Sequence, residues 1–355
     1  MSITQKSTLN IVFGAMTFGK AGNENVRVSD LKTASAILDV FQKHGHTEVD
    51  SARSYGGGTS ETVLGELEWQ KRGLKMETKL YANAGGALPT LHAAASPLTV
   101  SHSPEDLRKH LDISLRELRT DCLDMWYLHV PDRTTPYEVT FKAVDELYKE
   151  GKLKRLGISN FMAWEVAEIV TLCRANGWIQ PTVYQGIYNA MHRLVEPELF
   201  PCLRKFGISF YAYNPLGGGF FTGRYNSSGP EEGPAIEEGS RFDPTRKQGQ
   251  YYRWRYWNDR YFKALEIVQR ACDKHGLKMA EVALRWISHH SFLKREHGDA
   301  VIIGASSVKH IEENLKDLEK GPLPEEVVQA LEEAHEAVKG HETRYWFEPM
   351  TSTLN

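Results

Sequence analysis

Short apolar runs alternate along the chain with longer stretches in which apolar residues recur every three to four positions. Runs of the first kind, bounded by turn residues, read as buried strands, and the second spacing reads as amphipathic helix. The strand-like runs are 11–16, 46–50, 75–80, 122–129, 153–159, 182–187, 208–214 and 300–304. Helical stretches fall between them at 30–43, 60–72, 104–118, 136–149, 163–175 and 196–205, followed by a longer helical region from Tyr261. After the eighth run, 308–318 and 324–338 again have helical spacing.

Helix boundaries agree with these spans. Ser103-Pro104-Glu105-Asp106 sets a capping hydroxyl, a first-turn proline and two acids at the positive end of a helix dipole. Thr135-Pro136 is a similar start, and Gly151, Gly177 and Gly276 follow periodic runs as stops. Eight βα units in order predict one α/β domain over residues 1–355, a (β/α)8 TIM barrel. The rival, an open doubly wound sheet, usually has fewer strands.

Two segments break the regularity. Residues 81–102 are rich in small side chains, and 217–259 begin with a glycine cluster and end in the aromatic-basic stretch YYRWRYWND. Both leave the C-terminal ends of strands, so in a barrel both belong to the active face.

Composition adds bounds. With 41% hydrophobic and 25% charged residues the chain can bury a sizeable core, and a net charge of −3 gives no sign of a nucleic-acid or anionic-membrane partner. No basic segment followed by a long apolar stretch opens the chain, and no run reaches the ~18 apolar residues of a membrane span. The expected location is cytoplasmic. Cys122, Cys173, Cys202 and Cys272 form no C-x-x-C pair, which predicts reduced thiols. The sequon Asn226-Ser227-Ser228 carries little weight without a secretion signal.

Several motifs fail. Residues 14–21 nearly spell a phosphate-binding loop, but Ala21 replaces the magnesium-holding hydroxyl and no apolar helix follows. No G-x-G-x-x-G follows the first strand, so the dinucleotide fingerprint of the open sheet is missing. His341-Glu342 lacks the second histidine of a zinc motif, and no metal site is predicted.

The chemistry converges elsewhere. Asp50, Lys79 and His129 stand at the C-terminal ends of the second, third and fourth strands, and Tyr55 follows the second. A hydride arriving at a carbonyl carbon leaves an alkoxide that needs a proton. A free phenol, with a pKa of about 10, gives its proton slowly at neutral pH. A lysine cation beside it lowers that pKa, a carboxylate fixes the lysine, and an imidazole orients the carbonyl oxygen. Any one of these residues alone would read as a cap, a loop aromatic or a core side chain. Their joint placement carries the reading.

The segments HTEVDSARSY at 46–55, Glu77-Thr78-Lys79 and YLHVPD at 127–132 resemble the catalytic segments of the aldo-keto reductase superfamily. WEVAEIVT (164–171), TVYQGIYN (182–189), ELFPCLR (198–204) and YAYNPL (211–216) resemble the aflatoxin-aldehyde and succinic-semialdehyde reductases, with similarity from Val12 to about Gly340. The resemblance implies reduction of a small-molecule aldehyde or ketone with NADPH and the catalytic set Asp50, Tyr55, Lys79 and His129, with Tyr55 as proton donor. It places the nicotinamide carboxamide at Ser159, Asn160 and Gln185, with Tyr213, preferred over Tyr211, stacking on the ring. The diphosphate falls on 214–224, including Asn214, Leu216, Gly218 and Arg224, with Arg241 as a further contact. The adenosine 2′-phosphate falls on Gly304, Ser306, Ser307 and Lys309, and Glu313 and Asn314 face the adenine.

At the substrate end the candidates are Met16, Trp254, Tyr256, Trp257 and Arg344. The 81–102 loop is longer than its counterpart in mammalian members, and the tail 345–355 departs from the subfamily pattern. Homodimers occur in the subfamily and are an expectation here. Two alternatives stay open: an NADP-binding regulatory subunit attached to a channel, and NADP+-dependent oxidation of an alcohol by the same residues.

Overall fold

The computed structural model describes residues 5–84, 99–225 and 236–348. Most of the 81–102 loop, the Asn226 sequon and the last residues of the tail lie outside them. Eight parallel strands close into a barrel in chain order: β1 Asn10–Gly14, β2 Glu48–Asp50, β3 Lys75–Leu80, β4 Met125–Leu128, β5 Leu156–Ser159, β6 Pro181–Ile187, β7 Ser209–Tyr213 and β8 Ala300–Ile303. The chain is therefore a (β/α)8 TIM barrel.

Alternation along each strand divides the core in two. One set of side chains fills the barrel: Val12, Met125, Tyr127, Val183, Tyr211, Ala300 and Ile302. The other set, including Phe13, Val49, Met76, Trp126 and Leu128, faces the surrounding helices. Each such fully buried side chain contributes about 1.5–3 kcal/mol over an exposed one. Inside the barrel Tyr127 of β4 lies in register with Gly157 of β5, and a Cβ on Gly157 would sit inside the tyrosine ring.

The helices are α1 Leu31–Lys43, α2 Ser60–Glu66, α3 Pro104–Glu117, α4 Tyr137–Lys149, α5 Ala163–Asn176, α6 Leu199–Phe206, α7 Lys247–Tyr256, α8 Asp259–His275, α9 Met279–His289, α10 Val308–Leu318 and α11 Glu325–Val338. Ser103 caps α3, accepting from the Asp106 amide at 3.3 Å, and Gly177 and Gly276 end α5 and α8 in the left-handed conformation. No helix among the described residues is long and apolar enough to cross a membrane.

Several elements differ from expectation. The helix predicted over 60–72 stops at Glu66, because Glu68 turns left-handed (φ 52°) and buried Trp69 donates to the Leu118 carbonyl at 2.9 Å. The fourth strand begins at Met125, with Leu123 reduced to a single bridge to Leu153. Thr135 does not cap α4: its hydroxyl donates to Asp132 at 2.7 Å, and Pro136 holds the cap position. The 217–259 segment, expected as loop, contains helix α7. Its buried face is polar and aromatic (Gln248, Tyr252, Arg255, Tyr256) and so carries no apolar period. The four cysteines are free; Cys173 and Cys272 are buried, and Cys122 and Cys202 are half-buried.

Candidate active site

Asp50, Tyr55, Lys79 and His129 meet at the C-terminal rim of the barrel. Lys79 Nζ donates to Asp50 Oδ2 at 2.7 Å, to the Ser51 carbonyl at 2.6 Å and to the Tyr55 hydroxyl at 3.3 Å. An ammonium has three protons, and all three are used. Asp50 Oδ1 accepts from Gln185 Nε2 at 2.9 Å. The Tyr55 and His129 rings meet edge-on, centroids 5.9 Å apart, and Tyr81 adds a third ring edge-on to His129 at 5.4 Å.

A shaped turn presents Tyr55. Gly56, Gly57 and Gly58 all have positive φ (57°, 63° and 89°), a conformation that side chains resist. The turn is fastened behind. Arg53 pairs with buried Glu61 and donates to the Gly58 carbonyl at 3.0 Å, Glu61 accepts from Thr78 at 2.6 Å, and Ser60 donates to the Ala15 carbonyl at 3.0 Å. β1, β3 and α2 thus hold one tyrosine.

Burial governs the titration of this set. Burial raises the Tyr55 hydroxyl above the ordinary phenol range, and the Lys79 cation pulls it down without prevailing. The sequence suggested the opposite net direction, and full burial is the reason it fails. The outcome is a phenol that keeps its proton until a base forms beside it. Burial alone would depress Lys79, but Asp50 and Tyr55 reverse this and raise it, so the lysine is a cation.

A cavity of about 1330 Å³ opens above Asp50, Tyr55 and His129 and runs across the rim to Glu313 and Asn314. Lys79 lies beneath it, fully buried. Of the three residues expected at a carboxamide, Asn160 and Gln185 line the cavity, whereas Ser159 is buried and accepts from Asn160 Nδ2 at 2.8 Å. Asn160 is left-handed (φ 63°), and its Oδ1 accepts from the Tyr213 hydroxyl at 2.8 Å. Tyr213 is on the cavity wall, while the Tyr211 hydroxyl turns into the barrel and donates to Glu48 at 2.9 Å.

Further along, Asn214, Leu216, Gly218, Arg224 and Arg241 line the cavity. Asn214 is also left-handed (φ 59°) and accepts from Tyr252 at 3.0 Å, and the Arg241 guanidinium lies over the Tyr252 ring at 5.6 Å. Asn160 and Asn214, just past the ends of β5 and β7, both take the left-handed conformation that asparagine tolerates, and both face the cavity. Arg224 and Arg27 both pair with Glu237. At the far end Gly304, Ser306, Glu313 and Asn314 line the wall. Ser307 instead caps α10, accepting from the His310 amide at 3.1 Å, and Lys309 extends outward, 78% exposed, 4.0 Å from Glu313.

At the substrate end Met16, Trp254 and Arg344 line the cavity. Tyr256 and Trp257 do not: Tyr256 is buried against Phe220, and Trp257 packs on Phe242 and Phe262. Arg344 pairs with Glu348.

Among the cavity residues that sequence reasoning did not name, Phe347 and Arg255 stand nearest the chemistry of the substrate end. Phe347 is pinned by its backbone, its amide donating to the Asn160 carbonyl at 2.8 Å and its carbonyl accepting from Arg133 at 2.9 Å, and its ring meets Tyr81 edge-on at 6.1 Å. Arg255 is buried and donates to Thr343 at 3.1 Å and to the Tyr251 hydroxyl, and no carboxylate among the described residues forms an ion pair with it. Its residue type in the flagged aromatic-basic stretch was the only signal.

Known proteins resemble this chain over most of its length. The model of the Aldo/keto reductase family matches residues 10–336. The chain is 50% identical to an aldo-keto reductase of Pseudocercospora fijiensis over 310 residues, covering 87% of this chain and all of that protein. It is 45% identical to the aldo-keto reductase pigE of Monascus ruber, covering 95% and 97% of the two chains. It is 43% identical to the human aflatoxin B1 aldehyde reductase member 4, covering 91% and 92%.

Proposed function

The chain belongs to the aldo/keto reductase family, and from that premise we propose that it reduces an aldehyde or ketone to the alcohol, with NADPH as cofactor and Tyr55 as proton donor. One observation carries the reading: a buried phenol touches a lysine whose other two protons are committed to Asp50 and the Ser51 carbonyl, and the phenol faces a long cavity.

The cavity residues fit a dinucleotide. Asn160 and Gln185 offer amide groups at one end, and the Tyr213 ring offers a stacking face beside them. The glycines Gly218 and Gly219 let backbone come close to a diphosphate, with Arg224 and Arg241 supplying charge. Ser306 at the amino end of α10 and the Arg241 guanidinium beside Gly304 favour a cofactor with an additional phosphate. When bound, the nicotinamide supplies the hydride.

The chain's own groups do the rest. The Tyr55 hydroxyl and the His129 ring hold the carbonyl oxygen. As negative charge grows on that oxygen, Tyr55 gives up its proton. Lys79, held by Asp50 and the Ser51 carbonyl, stabilises the phenolate left behind. The Tyr81 and Phe347 rings give the substrate an apolar wall, and the Arg255 guanidinium gives it one polar contact. The same groups serve alcohol oxidation in reverse.

The test is a steady-state screen of aliphatic, aromatic and dicarbonyl substrates with NADPH and with NADH. Turnover with NADPH on at least one class, and a much higher KM for NADH, is the expected result. No carbonyl-dependent consumption of either cofactor would overturn the reading.

A further inference from the structure

Beneath the active site the barrel interior holds a second pair of acids. Glu48 and Glu77 lie two residues before Asp50 and Lys79 on β2 and β3, so strand alternation points them into the same interior one layer down. Glu77 is 1% exposed, and its Oε2 accepts from the Tyr127 hydroxyl at 3.0 Å. Its Oε1 is buried with no donor among the described residues. Glu48 accepts from Tyr211 at 2.9 Å and has the Arg155 guanidinium 3.6 Å away.

The groups that face Glu77 can be counted. β2 contributes Glu48 and Asp50, β4 Tyr127, the segment before β5 Arg155, and β7 Tyr211, while Lys79 lies two residues along β3 on the same face. β1, β6 and β8 contribute no charged side chain: Val12, Val183 and Ile302 are apolar, Gln185 of β6 donates to Asp50, and Asn10 of β1 donates to the Asp299 carbonyl. Lys75, in register with Glu48, is exposed and forms no ion pair among the described residues, so within the barrel three carboxyl groups share two cations. Lys79 has spent its protons on Asp50, Ser51 and Tyr55, and Arg155 stands at Glu48. The third carboxyl has no cation. A buried carboxyl beside a second carboxylate resists ionising, and Glu77 is the buried member of this pair.

We propose that Glu77 holds a proton at neutral pH, donates it to Glu48, and by staying neutral keeps a second anion from forming beneath Lys79, which makes it a positioning residue for the proton that Tyr55 delivers. Burial and the carboxylates of Glu48 and Asp50 together push Glu77 well above the usual carboxylate range. Should Glu77 lose its proton, the new charge would raise both Lys79 and Tyr55 and make the phenol a weaker acid, so carbonyl reduction would slow on the alkaline side. This second step rests on the reductase reading; the bound proton does not.

The sign of the linkage is fixed. The unfolded chain releases this proton near pH ~4.3, whereas the folded chain keeps it. Stability from this group is complete below that pH and falls as pH rises, about tenfold in the unfolding constant per pH unit, until the folded value is passed.

The experiment compares the full-length protein with Glu77→Gln and Glu48→Gln by denaturant unfolding between about pH 5.5 and 9, together with the pH dependence of kcat. The ratio of unfolding constants, wild type over Glu77→Gln, should grow about tenfold per pH unit within the window, and the ratio of kcat at high pH to kcat at neutral pH should rise in the variant. Glu48→Gln removes the facing anion and should flatten the same slope, which keeps the test open if Glu77→Gln does not fold. Parallel stability curves for wild type and variant would overturn the proposal, as would an unchanged alkaline limb in kcat. A changed slope in a protein with no carbonyl turnover would instead sink the reductase reading and leave the bound proton standing.

Discussion

β2 and β3 carry two interior pairs, Asp50 with Lys79 at the rim and Glu48 with Glu77 beneath; burial raises Asp50 and Glu77 alike, and only Asp50 has a lysine to oppose it. The upper pair is an ion pair with every lysine proton committed. The lower pair is two acids with one guanidinium at its edge. The strands are shared, and the decisive difference is a lysine against a glutamate on β3, both fully buried. In a buried layer, the count of cations decides whether a carboxyl is an anion that organises a phenol or an acid that keeps its proton.

The comparison breaks most severely if the upper pair loses its cation. Lys79→Met should cut kcat by about 10²–10⁴-fold, the usual contribution of general acid catalysis. It also strands a buried Asp50, and breaking a buried pair costs about 3–5 kcal/mol. Asp50 can escape by taking up a proton, so that loss should be smallest at low pH and grow as pH rises. Unfolding curves at several pH values check the sign.

A disturbance of the lower layer should act mainly on stability. Gly157→Ala drives a methyl group into the Tyr127 ring, which supports Glu77. Overpacking of this kind costs about 1–3 kcal/mol. The measurement is the denaturation midpoint.

The smallest effect belongs to the wall above both layers. Phe347→Ala removes a ring from the cavity and leaves its backbone anchors in place. The loss in kcat/KM should be about 10-fold or more for aromatic aldehydes, within the 1–3 kcal/mol span of a hydrophobic pocket contact, and slight for short aliphatic ones. Equal losses for both would detach Phe347 from specificity.

Much of this was legible in the sequence where a physical period exists. Strand alternation and strand-end placement located Asp50, Lys79 and His129, and the barrel followed from eight repeated units. Helix α7 escaped because its buried face is built from Gln248, Tyr252 and Arg255, which carry no hydrophobic period. Phe347 escaped because nothing local shows that a tail returns to Asn160. Glu77 was within reach: it stands two residues before Lys79, and the alternation that turns Lys79 inward turns Glu77 inward too. The direction of the Tyr55 titration needed burial, which no residue list supplies.

The central claim is that the Tyr55 hydroxyl delivers the proton while the cavity above it binds the cofactor through other residues. Tyr55→Phe tests it most directly, with kcat measured on the best carbonyl substrate and NADPH affinity measured by fluorescence quenching on the same preparation. The expected result is a fall in kcat of about 10²–10⁴-fold with cofactor affinity within a few-fold of wild type. A phenylalanine variant that turns over at the wild-type rate would contradict it.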